Sequence, residues 1–145
     1  MFLRALLALL ALPGVVAFVL PLLFAQAEPV RNPWGLLPLV AGAQGLLSCV
    51  WAFYTEGKGT LAPWAPPEHL VTTGLYRFTR NPMYLSVLLV LTGWALLFES
   101  PLLTGYAALV ALAFHLRVVL GEEPWLARTH GAAWEAYQQD VPRWF

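Results

Sequence analysis

Two short segments of the chain bring together the residue types that can do chemistry. The first, from Gly74 to Tyr84, holds tyrosines, arginines and an asparagine. The second starts at Glu122 and Glu123, adjacent carboxylates that precede a proline at the end of an apolar run. Carboxylates at a lipid boundary are costly to desolvate unless a cation pairs with them. The acidic pair therefore predicts a bound cationic ligand, ion pairs with Arg117 or Arg128, or solvated positions that begin a tail helix.

His115 and Arg117 form a second candidate near the end of the same apolar run. Ionisable residues at membrane depth are functional hypotheses by default. The alternatives are that Arg117 extends its guanidinium to the interface and that His115 bonds to a neighbouring carbonyl. Both interpretations stay open on the sequence alone.

The composition indicates the environment in which these segments must be held. Of the 145 residues, 59% are hydrophobic and only 11% are charged, whereas soluble proteins average about 25% charged. A soluble domain of this size buries only about 70% of its unfolded surface, so the other apolar residues would form large exposed patches. We therefore expect an all-α, polytopic membrane bundle, with a single domain over residues 1–145.

Four apolar runs predict four transmembrane helices, over residues 5–25, 34–54, 83–98 and 102–120. The first run ends in Ala25-Gln26-Ala27, which resembles the cleavage site of a signal peptide. The run is, however, long enough to cross a hydrocarbon core of about 30 Å, whereas a signal core spans about 7–15 residues. An uncleaved span is the preferred interpretation.

The polar regions between and after these runs predict how the two chemical segments meet. The stretch from Thr55 to Arg80 shows no sustained periodicity and predicts a loop, and loops of this length are usually functional or disordered. Pro82 suits the first turn of the third span, and Ser100-Pro101 predicts a tight antiparallel hairpin with the fourth. The polar and aromatic tail, residues 121–145, predicts a cytosolic helix. The hairpin would bring both segments to one membrane face.

The positive charges predict the orientation of the bundle, because cytoplasmic loops carry an excess of lysine and arginine. With four spans, only Arg31 lies on one side. The other seven basic residues share the opposite side: Arg4, Lys58, Arg77, Arg80, Arg117, Arg128 and Arg143. We expect an integral protein of a bacterial inner membrane with both termini in the cytoplasm.

Several other functions are disfavoured by the sequence. The net charge is zero, which argues against a nucleic-acid partner. Neither a phosphate-binding glycine loop, nor metal-ligand spacing, nor a Ser-His-Asp arrangement is present, so we expect no metal. Cys49 is the single cysteine and reads as a packing residue. With Ala41 and Gly45 it forms a stripe of small residues that predicts close helix packing.

Two motifs in the second half of the chain resemble those of a known family. The first is Leu70-Val71-Thr72-Thr73-Gly74-Leu75-Tyr76 leading into Arg80-Asn81-Pro82-Met83-Tyr84. The second comprises Glu122-Glu123, Leu126, His130-Gly131, Trp134, Tyr137 and Val141-Pro142-Arg143-Trp144. In order and spacing, residues 69–144 resemble the isoprenylcysteine carboxyl methyltransferase and phospholipid methyltransferase group of membrane enzymes.

The resemblance implies S-adenosylmethionine as cofactor, bound at the cytosolic membrane face by the loop 68–84 and roofed by the tail 121–145. Either member of the acidic pair would face the cofactor's amino group. The cofactor-contacting positions that it implies are His69, Leu70, Val71, Tyr76, Asn81, Pro82, Tyr84, Glu122 and Glu123.

Two positions depart from the family pattern. Asn81 stands where many members have histidine, and an amide cannot become cationic. The family's substrate-side arginine lies four residues before the first acidic residue, and that position is Val118 here. Arg117, one step away, is the candidate catalytic residue. The departure puts a carboxylate substrate in doubt.

The resulting hypothesis is methyl transfer from S-adenosylmethionine to a lipophilic acceptor, which is an isoprenylcysteine carboxylate, a lipid amine or a thiol. Its partners would be membrane lipid and a small or prenylated substrate. The segment from Gly131 to Pro142 also looks similar to sterol reductases, which makes an NADPH-dependent membrane reductase the alternative. A non-catalytic membrane scaffold is the third possibility, and it predicts no pocket between the third and fourth spans.

Overall fold

The computed structural model describes residues 10–58 and 68–145, and every regular element in these ranges is helical. Helix α1 joins a π-helical stretch, Leu10–Val19, to an α-helical turn, Leu20–Phe24. The next three helices are α2, Leu36–Thr55, α3, Pro82–Phe98, and α4, Pro101–Arg117. A π turn, Val118–Glu122, leads into α5, Glu123–His130, and α6, Ala132–Asp140, follows. Two 3-10 turns, Pro33–Gly35 and Gly74–Arg77, precede α2 and α3.

These helices coincide closely with three of the predicted apolar runs. The beginning of the first run, residues 5–9, and the loop residues 59–67 lie outside the described residues. The helix that holds the fourth run continues from Pro101 to His130, past the predicted end of the run at residue 120. Pro124 does not stop it, since the helix widens into the π turn Val118–Glu122 just before the proline and continues as α5.

Within the described ranges, two helical stretches are long and apolar enough to cross a membrane, Pro33–Thr55 and Pro101–His130. Two further apolar helices, Pro13–Phe24 and Pro82–Phe98, are shorter. Leucines on α4 such as Leu109 and Leu112 are more than half exposed. Such a surface is expected where lipid, and not water, is the solvent.

Helices α2 and α3 pack so closely that only glycine fits at several contacts. A Cβ on Gly93 of α3 would lie 2.6 Å from the backbone nitrogen of Leu39, and one on Gly42 of α2 would lie 2.6 Å from the Ser86 carbonyl oxygen. The predicted stripe is therefore correct in kind but wrong at Ala41, which is exposed. Gly42 takes its place, because the helix turns a slightly different face towards α3 than the four-residue spacing suggested.

Helix α1 is held against α3 and α4 by aromatic side chains that donate to its backbone. The Trp94 indole N–H donates to the Ala17 carbonyl at 2.8 Å, and the Tyr106 hydroxyl donates to the Val16 carbonyl at 2.9 Å. Ala17 is fully buried beside Val90. Hydrogen bonds to main-chain groups are the usual device by which tryptophan and tyrosine tie apolar elements together.

The hairpin predicted between α3 and α4 is confirmed. Glu99 adopts a left-handed conformation, with φ 48° and ψ 42°, and ends α3. The Ser100 hydroxyl then accepts from the Leu103 N–H at 3.4 Å and caps α4. The turn places the start of α3 and the end of α4 at the same end of the bundle.

Candidate active site

The two chemical segments meet through a hydrogen-bonded network of Tyr84, Arg117 and Glu122. The Tyr84 hydroxyl donates to Oε1 of Glu122. Nε of Arg117 donates to the same carboxylate oxygen at 2.9 Å and to the Tyr84 hydroxyl at 3.1 Å. Arg117 follows Tyr84 by 33 positions in the sequence and Glu122 follows it by 38, so the network joins distant parts of the chain. The predicted approach of Glu122 to Tyr84 is what the structure shows.

The helices position this network from both sides. Tyr84 lies in the first turn of α3 and is only 6% exposed. The Phe114 ring of α4 packs on it with the ring centroids 4.5 Å apart. Arg117 ends α4, and the π turn Val118–Glu122 carries Glu122 back to it. A buried phenol, an aromatic ring and a half-exposed ion pair therefore share one corner of the bundle.

Glu123 points to a different set of partners from its neighbour. Its carboxylate accepts two parallel hydrogen bonds from Arg143, each 2.9 Å long. Its Oε1 also lies 3.1 Å from Nη1 of Arg80, an ion pair without an aligned hydrogen bond. The Arg80 guanidinium is 8% exposed and lies 5.4 Å from the centre of the Trp134 ring. This cluster of Arg80, Glu123 and Arg143 satisfies Glu123 within the protein.

The end of the chain lies along the segment that precedes α3. The Arg80 N–H donates to the Pro142 carbonyl at 2.9 Å. The Arg143 carbonyl accepts from the Thr79 hydroxyl at 3.1 Å and from the Asn81 side-chain amide at 2.9 Å. The Asn81 side chain therefore holds the tail through a neutral amide donor, and this hydrogen bond does not require a cationic side chain.

The loop before α3 is held in place by two buried side chains and by a hydrogen bond between two tyrosines. Val71 and Tyr76 pack with Cys49 and Ala52 of α2. The Tyr137 hydroxyl donates to the Tyr76 carbonyl at 2.7 Å and joins the loop to α6. Burial raises the pKa of Tyr137 to about 12, against a smaller lowering by Arg80. Burial likewise raises the pKa of Tyr76, so both phenols stay neutral at physiological pH.

The other residues of the predicted site are spread around this loop. Leu70 packs on the cluster of Trp134, Tyr137 and Val141. Pro82 is buried, begins α3 and accepts from the Ser86 hydroxyl at 2.7 Å.

The two histidines singled out in the sequence lie outside the network. His69 is exposed, with its N–H 3.3 Å from the Gly57 carbonyl. The exposed His115 lies 6.1 Å from Trp144, measured between ring centroids. That any of these residues binds a cofactor stays a prediction.

Sequence reasoning missed the part that Arg80, Arg143 and Trp134 play. All three lie within the two motifs quoted for the family, but no partner was assigned to them. The acidic pair could have indicated these partners, because adjacent residues on a helix point about 100° apart. Two neighbouring carboxylates therefore need two separate sets of partners, and the basic residues of the motifs were available for the second set.

A groove of about 440 Å³ lies on the outer side of α2. It is lined by Leu47, Ser48, Trp51, Ala52, Thr55, Glu56 and Gly74. No residue of the Tyr84–Arg117–Glu122 network lines it, and it lies against α2 and not between α3 and α4. Within the described residues, no group of three His, Cys, Asp or Glu side chains is placed to hold a metal ion.

The fold and the site together define an α-helical membrane protein with a polar cluster at one end of its apolar helices. A family model described as phospholipid methyltransferase matches residues 36–133, which include α2, α3, α4 and the acidic pair. The chain belongs to the phospholipid methyltransferase family, and the predicted family is thereby confirmed. No curated protein matches the chain. No solved structure matches it either.

Proposed function

We propose that this protein transfers a methyl group from S-adenosylmethionine to a lipophilic acceptor at the cytosolic face of the membrane. Membership of a methyltransferase family supports the reaction class. The observation that carries the site is the contact of Tyr84 and Arg117 with Glu122, which joins the loop before α3 to the end of α4. These are the two segments whose motifs imply a cofactor.

The free oxygen of Glu122 fits the ammonium group of such a cofactor. Both hydrogen bonds within the network use Oε1, and among the described residues Oε2 has no hydrogen-bond partner. Glu123, in contrast, has both oxygens engaged by Arg143. Glu122 is therefore the member of the acidic pair that we assign to the cofactor, because a free carboxylate oxygen can accept a charge-assisted hydrogen bond.

Cationic groups for a ligand carboxylate are also present. Among the described residues, Nε is the one nitrogen of the Arg117 guanidinium with a hydrogen-bond partner, and the side chain is 57% exposed. The buried Nε of Arg80 has no hydrogen-bond partner within the described part of the chain, and unpaired buried donors are costly. We keep Arg117 as the candidate catalytic residue, with its two terminal nitrogens available to an anionic group of cofactor or acceptor.

The protein's own contribution to such a reaction is alignment and exclusion of water. When bound, S-adenosylmethionine would supply a methyl group whose carbon–sulfur bond would break with both electrons staying on sulfur, while a lone pair of the acceptor would form the new bond to carbon. No enzyme nucleophile is consumed in this displacement. Tyr84, Phe114 and Glu122 would fix the cofactor, since orientation alone can supply several kcal/mol of catalysis.

We further propose four membrane spans with both termini in the cytoplasm. Helices α1 and α3 would complete the bundle that α2 and the long α4–α5 helix begin. The 17 residues of α3 rise about 25 Å, which is close to the core thickness of about 30 Å. The acceptor would then enter from the lipid, and a lipid amine, a thiol and a prenylcysteine carboxylate remain the candidate chemistries.

Calorimetric titration of the purified protein in detergent or nanodiscs tests the cofactor. We expect S-adenosylmethionine to bind in the micromolar range, and Glu122→Gln to weaken binding about tenfold through loss of a charged hydrogen bond. Glu135→Gln, on the exposed side of α6, is the matched control and should leave affinity unchanged. Absence of binding by well-folded protein would overturn the proposal. NADPH is titrated in parallel, and its binding in place of S-adenosylmethionine would favour a reductase.

A further inference from the structure

The contact between Arg117 and Glu122 depends on an irregular turn of the backbone. Five positions separate the two residues, yet Nε of Arg117 and Oε1 of Glu122 are 2.9 Å apart. In an α-helix, residues five apart point about 140° away from each other, because each residue turns the chain by about 100°. Neighbours on an α-helical face are three or four residues apart. A regular helix would therefore separate this pair.

The turn Val118–Glu122 resolves the discrepancy. Its backbone is π-helical, and the Glu123 N–H donates to the Val118 carbonyl five residues earlier. Up to Val118 the helix is still regular, since the N–H of Val118 reaches the carbonyls of Phe114 and His115. Residues five apart become neighbours where hydrogen bonds join residues five apart. The wide turn thus carries Glu122 back over Arg117.

The same turn directs away from Glu122 the side chain that would be its neighbour in a regular helix. Val118, four positions before it, is 1% exposed and faces the core. Leu120 is 72% exposed, and a Cβ on Gly121 would meet no heavy atom within 4 Å. The additional residue is therefore accommodated on the outer side of the helix, where no described residue packs against Gly121.

We infer that this π turn is a register-setting element that makes Arg117, and not the residue in α-helical register, the positioning residue for the Glu122 carboxylate and the Tyr84 hydroxyl. The inference rests on the proposed function only for its effect on cofactor binding. By keeping Oε1 of Glu122 engaged, Arg117 leaves Oε2 as the oxygen that faces a ligand. Because Arg117 and Tyr84 share that oxygen, the helix register decides the direction of the carboxylate.

Cysteine crosslinking tests the register without any ligand. In a Cys49→Ala background, Arg117→Cys is paired either with Glu122→Cys, the π-helical neighbour, or with Gly121→Cys, the α-helical one. All three positions are at least partly exposed, so both pairs are reachable by a short bifunctional thiol reagent. We expect the 117/122 pair to crosslink several-fold faster. Faster crosslinking of the 117/121 pair would overturn the inference.

Deletion variants test the consequence for binding. Removing Leu120 converts the turn to a regular helix in which Arg117 and the glutamate are four apart, so S-adenosylmethionine affinity should stay within about threefold of wild type. Removing Leu112, another exposed leucine of the same helix, rotates Arg117 by about 100° away from Tyr84. This deletion should reduce affinity at least tenfold. Equal losses in both variants would contradict the inference.

Substitutions of Arg117 separate positioning from general stability. Arg117→Leu should weaken cofactor binding about tenfold, and Arg117→Lys should recover part of the loss. Arg128→Leu is the control, because the Arg128 guanidinium contacts only the Pro124 carbonyl among the described residues. An unchanged affinity in Arg117→Leu would overturn the positioning role. If wild-type protein binds no S-adenosylmethionine, the proposed function fails, while the crosslinking ratio still decides the register.

Discussion

Individual side chains where α3 begins and α4 ends divide into two groups with different tasks. Among the described residues, one oxygen of Glu122 has no hydrogen-bond partner beside Tyr84 and Arg117, whereas both oxygens of Glu123 accept from Arg143. Adjacent residues of one type therefore differ in what a mutation would do. Loss of Glu122 should affect ligand binding, and loss of Glu123 should affect folding.

Glu123→Gln should destabilise the protein by about 3 kcal/mol, because it leaves the Arg80 guanidinium buried without a counter-charge. Glu28→Gln is a suitable control. The pair of Glu28 with Arg31 is 3.7 Å long and exposed on both sides, so its loss should cost less than about 0.5 kcal/mol. Thermal unfolding in detergent, followed by tryptophan fluorescence, measures both. Equal midpoints for the two variants would show that the cluster of Arg80, Glu123 and Arg143 contributes no stability.

Tyr137 should make stability depend on pH only in the alkaline range. Its pKa is raised to about 12 by burial, above the usual value of about 10. A group whose pKa is raised by folding contributes its full stability below the unfolded pKa, and the contribution is lost as the pH rises from about 10 to 12. Tyr137→Phe should cost about 1–2 kcal/mol at pH 8, through loss of the bond to the Tyr76 carbonyl. Unfolding measured from pH 8 to 11.5 should show the difference from wild type shrinking, and a constant difference would be the contrary result.

At the scale of elements, the close backbone contact of α2 with α3 and the turn at Gly131 determine how the helices are arranged. Glycines let α2 and α3 approach to contact distance, so their packing has little tolerance for added volume. Gly131 has a φ of 52°, a value that glycine adopts readily, and it lets the chain turn between α5 and α6. That turn directs α6 back towards the loop before α3.

Gly42→Ala should destabilise the bundle by about 1–3 kcal/mol, because its Cβ would lie 2.6 Å from the Ser86 carbonyl oxygen. Gly105→Ala provides a matched control in α4, where an added Cβ meets no heavy atom within 4 Å. The control should be neutral or gain up to about 1 kcal/mol from helix propensity. Unfolding midpoints of the two alanine variants give the comparison. A Gly42→Ala variant as stable as the control would show that α2 and α3 can separate without cost.

For the whole molecule, the distribution of basic residues predicts the orientation of the chain in the membrane. Seven of eight basic residues fall on one side if four spans are present, so both termini are expected in the cytoplasm. A reporter active only in the cytoplasm should work when fused after Phe145. A reporter active only outside should work when inserted at Pro29, in the short link between α1 and α2. The opposite pattern would exclude the proposed cytosolic site.

The sequence by itself determined the helical class, the apolar runs, the turn at Ser100 and the family, because these depend on local composition and on motifs contiguous in the chain. Helix bounds were predictable to within a few residues for α2 and α3. The continuation of the fourth helix beyond residue 120 was not, because Pro124 lies where the helix tolerates it.

Only the tertiary structure decided which side chains meet. Asn81 and Arg143 are 62 positions apart and Tyr84 and Glu122 are 38 apart, and no local pattern encodes such pairings. From the sequence, Glu122 and Glu123 were equivalent candidates for the cofactor's amino group. The packing of the tail gives them different partners, because Arg143 bonds to Glu123. Arg117 lies one position before the arginine position of the family pattern, and only the structure showed that the π turn at Val118–Glu122 brings its side chain to the Glu122 carboxylate.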